Sequence, residues 1–303
     1  MALHILVSGA GGLIGTAVVR HLTSAGHRIT RLVRRAAGDH EVFWDPVGNR
    51  LDLSDIGKVD AVVHLAGENI GARWTAARRA RIRDSRVHGT RLLSTAIARL
   101  QSRPEVLVSA SAVGIYGNRG DEKLTEESRQ GDPSGDFLVS VCQEWEAAAD
   151  PARAAGIRVV HPRFGVVLSR AGGALRRMLP VFRLGLGGRL GSGSQWMSWI
   201  SRDDAVGIIE HALIDRTLAG PVNATAPDPV TNAEFTRRLG EALGRPTPFW
   251  VPAAALRLAF GTMAESTVLA SARVLPSRLQ LTGYRFADPG LPGALRQLLA
   301  EPD

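Results

Sequence analysis

Short apolar runs alternate with stretches of helical periodicity along the first half of the chain. Leu3–Ser8 is a strand-length apolar run, and Leu13–Ala25 follows it with apolar residues at helical spacing that end at Gly26. Arg28–Val33 is a second strand-like segment, and Asp60–Ala66 is a continuous apolar run. A run of the latter kind is typical of a parallel strand that helices cover on both faces.

The same alternation continues to about residue 167. Ala76–Leu100 has the pattern of a long helix, and Glu105–Ser111 that of a strand. Leu138–Ala155 is again helical, and Arg158–Val167 is a further strand. Strands that alternate with helices predict βαβ units, and therefore an α/β fold with a Rossmann-type, doubly wound parallel sheet.

The pattern changes beyond about Gly172. The next segments are a glycine-rich loop at Arg183–Ser194, a strand at Trp196–Ile200, a helix that Asp203 or Asp204 caps, a helix at Thr231–Leu243, and two or three helices within Val251–Leu299. We predict an NADP-binding Rossmann domain over residues 1–170, to which segments at about 196–228 return. A smaller C-terminal substrate lobe with a helical tail is predicted over residues 171–303.

Composition restricts the class of protein. Of the 303 residues, 45% are hydrophobic and 22% are charged, which is ordinary for a globular protein. A single cysteine, Cys142, excludes an internal disulfide and suits a reducing compartment. No signal-peptide pattern opens the sequence, and no apolar run approaches the roughly 18–20 residues of a membrane span. We therefore expect a cytoplasmic location and no membrane association.

The net charge of +8 comes almost entirely from arginine, since Lys58 and Lys123 are the only lysines. Seven arginines lie between Arg73 and Arg91, against the single acid Asp84. Such a stripe could contact phosphates, but no recognition helix, zinc knuckle or aromatic-rich basic strand accompanies it. We predict a solvated helix face without a nucleic-acid partner, from which Arg81 or Arg86 turns inward.

A glycine-rich turn connects the first strand to the first helix. Glycines in this position allow a tight turn, bring backbone N–H groups close to a pyrophosphate and place the positive end of a helix dipole beside it. The strand–turn–helix order makes this a strong indication of a dinucleotide site. The predicted cofactor-binding residues of the turn are Gly9, Gly11, Gly12, Leu13, Ile14 and Gly15.

Arg34 and Arg35 follow the second strand, where an NAD site normally has an acid for the ribose 2′-OH. The next acid is Asp39. A guanidinium suits the 2′-phosphate of NADP, because it can pair with phosphate and stack on adenine. The sequence therefore favours NADP(H), with Arg34 as the first candidate; the alternative is that both arginines only face solvent.

Several motifs resemble those of the extended short-chain dehydrogenase/reductases. The motifs are the GxxGxxG turn, His64–Asn69 (HLAGEN), Ser109–Gly117 (SASAVGIYG) and Met197–Leu213 (MSWISRDDAVGIIEHAL). Together with DFLVSVCQEWEAAA, FRLGLGGRLGSGSQ and NATAPDPVTNAEF, they are most similar to the nucleoside-diphosphate-sugar-epimerase-like branch. The resemblance covers nearly the whole chain and implies a reductase or epimerase that binds NADP(H).

The resemblance also implies further site residues. Those for the cofactor are Leu65, Ala66, Gly67, Glu68, Arg81, Arg86, Ser109 and Arg163. Ser111 stands at the position of the family's serine, which hydrogen-bonds the substrate oxygen. Tyr116 lies in a loop that reaches toward substrate in relatives. Ser111 and Tyr116 are therefore the predicted catalytic residues, as hydroxyl donors to a substrate oxygen.

The family's Tyr-x-x-x-Lys pair is absent, since Gly120 and Asp288 stand four residues after the two tyrosines. Alignment by the helix that follows puts Leu138 at the tyrosine position and Cys142 at the lysine position. We expect Glu144 and Glu146 to be solvated or to cap the helix, and we expect no metal site. The rival interpretation is a non-catalytic protein in which bound NADP(H) acts as a redox-sensing or scaffold ligand.

Overall fold

The computed structural model describes residues 2–300, and in that range a nine-stranded, almost wholly parallel sheet runs through the molecule. The nine strands of this sheet are β1 (His4–Ser8), β2 (Arg28–Val33), β3 (Glu41–Asp45), β4 (Arg50–Leu51), β5 (Ala61–His64), β6 (Val106–Ser109), β7 (Ser111–Ala112), β9 (Arg158–Phe164) and β14 (Gly220–Ala224). The other strands form small two-stranded sheets; they are β8 (Lys123–Leu124), β10 (Val166–Leu168), β11 (Gly188–Leu190), β12 (Trp196–Met197), β13 (Trp199–Ser201), β15 (Val230–Thr231), β16 (Phe249–Val251) and β17 (Arg273–Val274). The Rossmann-type α/β fold is confirmed.

Helices cover both faces of the sheet and build the C-terminal region. They are α1 (Leu13–Ser24), α2 (Ala76–Ala98), α3 (Phe137–Ala147), α4 (Asp150–Ala154), α5 (Gly173–Arg183), α6 (Arg202–Ile214), α7 (Asn232–Leu243), α8 (Ala253–Phe260), α9 (Ser277–Leu281) and α10 (Leu291–Ala300). A 3₁₀ turn at Val113–Tyr116 and a π turn at Ala264–Val268 complete the regular structure. Within residues 2–300, every helix is too short or too polar to cross a bilayer.

The strand order places a ligand crevice beside β1. The order is β14-β9-β6-β5-β1-β2-β3-β4, with β7 paired to β9 and only β4 antiparallel to its neighbour. The chain proceeds outward from β1 through β2 and β3, then crosses to β5 on the other side of β1. In open α/β sheets, ligands bind at such a switch point, outside the carboxyl ends of the strands. The glycine turn after β1 and the segment after β5 therefore flank the crevice.

Alternating strand residues supply two separate cores. Ile5, Val7 and Val63 face one side of the sheet and pack in a cluster with Val206 and Ile209 of α6. The alternate strand residues face the other side of the sheet; they are Leu6, Val62 and Leu107. They form a second cluster with Leu93 and Ile97 of α2. Burial on both faces explains why the central strands are continuous apolar runs.

Two of the segments that differ from the prediction are helical. The predicted helix Leu138–Ala155 is broken into α3 and α4, because Pro151 lacks the N–H group that a continuous helix would need there. Helix α5 was not predicted, since Pro180 and four arginines within or beside it obscure its pattern. Its apolar residues nevertheless recur at helical spacing and are buried; they are Leu175, Leu179 and Phe182.

Strand β14 joins the main sheet and helix α6 packs against it, although both lie in the C-terminal half of the chain. Ser201, rather than Asp203 or Asp204, caps α6 by accepting a hydrogen bond from the Asp204 N–H. The Asp204 carboxylate is buried and accepts hydrogen bonds from the Ala287 and Asp288 N–H groups at 2.8 and 2.9 Å. It thus fastens the tail to the start of α6. The last three residues of the predicted lobe, 301–303, lie outside the described residues.

Gly15→Ala should destabilise the fold, because a Cβ at this position would lie 2.1 Å from the Gly9 carbonyl oxygen, which is far inside contact distance. Overpacking of this kind costs about 1–3 kcal/mol. Gly11→Ala is the matched control, since a Cβ there meets nothing within 4 Å. Chemical denaturation of both variants without cofactor measures the difference, and equal free energies of unfolding would contradict the packing.

Candidate functional site

The glycine turn is held tightly against the end of β5. Gly9 has a φ of +69°, and a Cβ on it would lie 2.6 Å from the Leu65 carbonyl carbon, so only glycine fits. The Gly12 N–H donates to the Gly9 carbonyl at 3.0 Å and closes the turn. Gly11 and Gly12 face solvent at the mouth of the crevice, and Leu13 and Ile14, both half-buried, begin α1.

The N-terminus of α1 has no side chain that could cap it. Its N-cap is Gly12, and no acidic residue stands in its first turn. The first N–H groups of a helix carry partial positive charge and need partners from outside the helix. Backbone donors at the edge of an exposed glycine turn therefore suit an anionic phosphate group.

Arg34 and Arg35 have different surroundings, although they are adjacent. The two terminal nitrogens of the Arg35 guanidinium donate to the Glu41 carboxylate at 2.8 Å. These bonds hold the pKa of Glu41 below its usual value. Arg34 is exposed at the carboxyl end of β2, and within residues 2–300 its guanidinium makes no hydrogen bond or ion pair. Arg34 is therefore a free cation beside the crevice, whereas the charge of Arg35 is already paired.

Arg86 turns inward from the arginine-rich helix α2. Its guanidinium lies 5.0 Å from the centre of the Trp145 ring and donates to the Glu68 carbonyl at 3.0 Å. A Cβ on Gly67 would lie 3.2 Å from the Arg86 Cζ atom, so this side chain supports the Leu65–Glu68 segment from below. Burial lowers the pKa of Arg86. Arg81, by contrast, faces outward with 59% of its side chain exposed, at 3.9 Å from Glu68.

A buried polar network lies beneath the carboxyl ends of β6, β9 and β14, and we call it the Glu146 cluster. Its members are Ser111, Tyr116, Glu146, Arg163 and Asn223. Arg163 forms a bidentate ion pair with Glu146 at 2.8 and 2.9 Å, and its third nitrogen donates to the Tyr116 hydroxyl at 2.9 Å. The expectation that Glu146 is solvated is wrong, because this carboxylate is the centre of the network.

The Glu146 carboxyl remains ionised at neutral pH. Burial acts to raise its pKa, but the hydrogen bonds and charge of Arg163 outweigh burial and leave the pKa below its usual value. Arg163 was predicted to contact the cofactor. The structure instead directs its whole guanidinium into the polar network, where the residue is 2% exposed.

Both predicted catalytic hydroxyls donate their protons within the protein. Ser111 Oγ donates to Glu146 at 2.7 Å, and Tyr116 Oη donates to Asn223 Oδ1 at 2.7 Å. Tyr116 is fully buried in the 3₁₀ turn, so the expected reach of this residue toward substrate is not seen. Burial also raises its pKa, although Arg163 opposes the shift. Ser111 is 2% exposed.

Leu138 and Cys142 face the same apolar cluster as Tyr116. Leu138 packs against Gly114, where a Cβ would come within 2.6 Å of it. Cys142 is wholly buried, and burial raises the pKa of its thiol to about 12. Neither residue can exchange a proton with a ligand at neutral pH, so nothing at these two positions replaces a tyrosine–lysine relay.

Two further polar residues lie deeper below the crevice. His64 hydrogen-bonds Ser8 Oγ at 2.5 Å and Thr90 Oγ1 at 2.9 Å, and burial lowers its pKa to about 4. Ser109, predicted at the cofactor site, is fully buried, and its Oγ has no hydrogen-bond partner in the described part of the chain. Among residues 2–300, no three histidine, cysteine, aspartate or glutamate side chains are grouped as metal ligands would be.

The Glu146 cluster is the feature that sequence reasoning missed. The signal was present, because Leu138, Cys142 and Glu146 are spaced four residues apart and therefore lie on one helix face. The first two are buried, so the third had to face inward as well. An inward-facing carboxylate needs a cation, and Arg163 on the adjacent strand β9 supplies it.

Comparison with known proteins identifies the family of this chain. The model of the NAD dependent epimerase/dehydratase family matches residues 5–223, and a domain of unknown function (DUF1731) matches residues 251–298. The chain is 46% identical to an epimerase family protein of Mycobacterium bovis over 93% of each chain. It is 39% identical to the human epimerase family protein SDR39U1, over 98% of this chain and 100% of the human one.

A crystal structure of that human protein with NADPH superposes with a TM-score of 0.89 at 37% identity, over 98% of this chain and 99% of the human chain. The similarity extends through both the sheet and the tail, and the motifs that carried the resemblance lie in the matched range. This chain therefore belongs to the NAD dependent epimerase/dehydratase family.

Proposed function

We propose that this chain binds NADP(H) in the crevice between the glycine turn and the Leu65–Glu68 segment. The exposed turn and the uncapped N-terminus of α1 suit the pyrophosphate. Arg86 supports the opposite wall from inside and places a positive charge beneath it. A human relative of the same architecture was crystallised with NADPH, which agrees with this assignment.

The exposed, unpaired guanidinium of Arg34 is the observation that favours NADP(H) over NAD(H). The carboxyl end of β2 is where dinucleotide sites recognise the adenosine ribose. An unpaired, exposed guanidinium there favours a 2′-phosphate, and the nearby Glu41 carboxylate cannot replace the usual acid because Arg35 occupies it.

We further propose that the protein is an oxidoreductase or epimerase that acts on a carbonyl or sugar-type substrate in the cytoplasm. In the reduction of a carbonyl, bound NADPH would supply the hydride. Ser111 is the candidate contact for the substrate oxygen, but it can donate to that oxygen only by releasing Glu146. Tyr116 would act by holding Arg163, and thus Glu146, in place. We therefore expect slow turnover.

A non-catalytic role for bound NADP(H) is the second candidate. Its support is the inert pair Leu138 and Cys142, together with two hydroxyls whose protons are already donated inside the protein. A redox sensor or scaffold needs a cofactor site but no group that exchanges protons with a substrate.

Arg34→Ala should reduce the affinity for NADPH by about tenfold or more and leave the affinity for NADH nearly unchanged. The reason is the loss of a charge-assisted contact with the 2′-phosphate, which is typically worth about 1.5–3 kcal/mol. Calorimetric titration of both cofactors measures the effect. Arg28→Ala is the matched control, since this exposed arginine lies at the opposite, amino end of the same strand β2. Equal losses of NADPH affinity in the two variants would show that Arg34 does not contact the 2′-phosphate.

Arg86→Ala should weaken the binding of NADPH and NADH alike, because Arg86 supports a wall of the crevice shared by both cofactors. Arg81→Ala serves as its control on the same helix, where the side chain faces solvent. Both variants are titrated with both cofactors after circular dichroism has verified that they are folded. An unchanged affinity in folded Arg86→Ala would show that the inward arginine supports only the fold.

Ser111→Ala should slow any NADPH consumption found in a screen of carbonyl compounds, by roughly 10²–10³ if Ser111 stabilises the substrate oxygen. Cys142→Ser should leave the rate within about twofold. A rate that Ser111→Ala does not change would mean that another group does the chemistry. Tight NADPH binding without turnover on any carbonyl or sugar nucleotide would favour the non-catalytic role.

A further inference from the structure

A cavity of about 250 Å³ opens on the C-terminal lobe, and its walls come from α7, β11 and the segment that leads into β16. The side chains that give it its chemistry are Arg189, Thr236, Arg237, Thr247, Phe249 and Trp250. None of these residues belongs to the glycine turn, the Leu65–Glu68 segment or the Glu146 cluster. The cavity is thus separate from the proposed cofactor site.

Two aromatic side chains are exposed at this cavity but are held in fixed positions. Phe249 is 50% exposed and Trp250 is 58% exposed, which is unusual for such large apolar residues. Strand β16 pairs with β11, so that Gly188 lies opposite Phe249 and Arg189 opposite Trp250. The Trp250 indole N–H also donates to the Gly191 carbonyl at 2.6 Å. The ring is therefore ordered while much of its surface faces the solvent.

Arg189 supplies an unpaired positive charge in the same wall. Its aliphatic stem passes Gly193, where a Cβ would lie 3.3 Å from the Arg189 Cδ atom. Within residues 2–300, its guanidinium makes no hydrogen bond or ion pair. The neighbouring Arg237 is different, because Glu234 and Glu241 both pair with it. The cavity thus has one cation available to a ligand.

We infer that this cavity binds a small aromatic molecule that carries an anionic group, with the ring against Trp250 and the anion on Arg189, which lies opposite Trp250 in the strand pair. Aromatic side chains favour stacked or edge-on contact with a second ring, and a guanidinium pairs with carboxylate or phosphate. A cavity of about 250 Å³ is smaller than typical pockets for drug-sized ligands. It accommodates one substituted ring rather than a whole nucleotide sugar.

The test uses phenyl phosphate as the probe, titrated by calorimetry into the full-length protein saturated with NADPH. Inorganic phosphate and benzyl alcohol provide the anion and the ring separately. We expect saturable binding of phenyl phosphate, at least tenfold weaker binding of inorganic phosphate and benzyl alcohol, and at least a tenfold loss in Arg189→Gln and in Trp250→Ala. Arg183→Gln is the matched control, because this exposed arginine ends α5, shortly before β11 in the sequence, and lies outside the cavity wall.

The outcomes decide between a specific site and general attraction to a basic protein. Equal losses in Arg189→Gln and Arg183→Gln would overturn the inference, as would an absence of binding at millimolar phenyl phosphate. Binding of the probe to the NADPH-free protein but not to the saturated protein would place it in the cofactor crevice and also overturn the inference. Arg34→Ala separates the two proposals, since it should weaken NADPH and leave phenyl phosphate binding within twofold.

Discussion

The ion pair between Glu146 and Arg163 is the interaction on which the arrangement of the crevice depends. It connects α3 to β9 and, through Ser111, Tyr116 and Asn223, reaches β7, the 3₁₀ turn and β14. Asn223 continues the connection to the tail by donating to the Leu275 carbonyl at 2.9 Å. Removal of one partner from a buried pair typically costs about 3–5 kcal/mol, since it leaves an uncompensated charge. The pair therefore fixes the strand ends that form the floor of the crevice.

That arrangement has a chemical consequence, because a hydroxyl has a single proton to donate. An ionised Glu146 takes the proton of Ser111, and Asn223 takes that of Tyr116. Toward the crevice, Ser111 can then offer only its lone pairs, which suit a ligand with a hydrogen-bond donor better than a carbonyl oxygen. The hydroxyl protons of Ser111 and Tyr116 thus stabilise the fold, and neither is free for a ligand.

Periodicity was sufficient to predict the central sheet, since strands buried on both faces leave an unmistakable apolar run, as in β5. The glycine turn was equally readable from its strand–turn–helix order. The structure adds that Gly15 is required by the Gly9 carbonyl within the turn, whereas Gly9 is required by Leu65, which is distant in sequence. The surroundings of Arg34 and Arg35 were not readable. Their difference depends on Glu41 in β3, a strand whose short and partly exposed pattern gave no clear signal. The partner of Glu146 was missed for another reason: Arg163 lies on a predicted strand, but the sequence does not show that this strand becomes the neighbour of α3.

The charge of the chain illustrates how much three-dimensional context adds to composition. The sequence shows a positive excess and a stripe of arginines along one helix. In the fold, members of that stripe are used locally: Arg86 packs against the Trp145 ring, Arg78 donates to the Asn69 carbonyl, and Arg73 donates to the Leu258 carbonyl. A guanidinium that binds a backbone carbonyl keeps its charge but loses the freedom to follow a phosphate backbone. Anion recognition is therefore better sought at isolated arginines without partners in concave surroundings than along the densest run of charge.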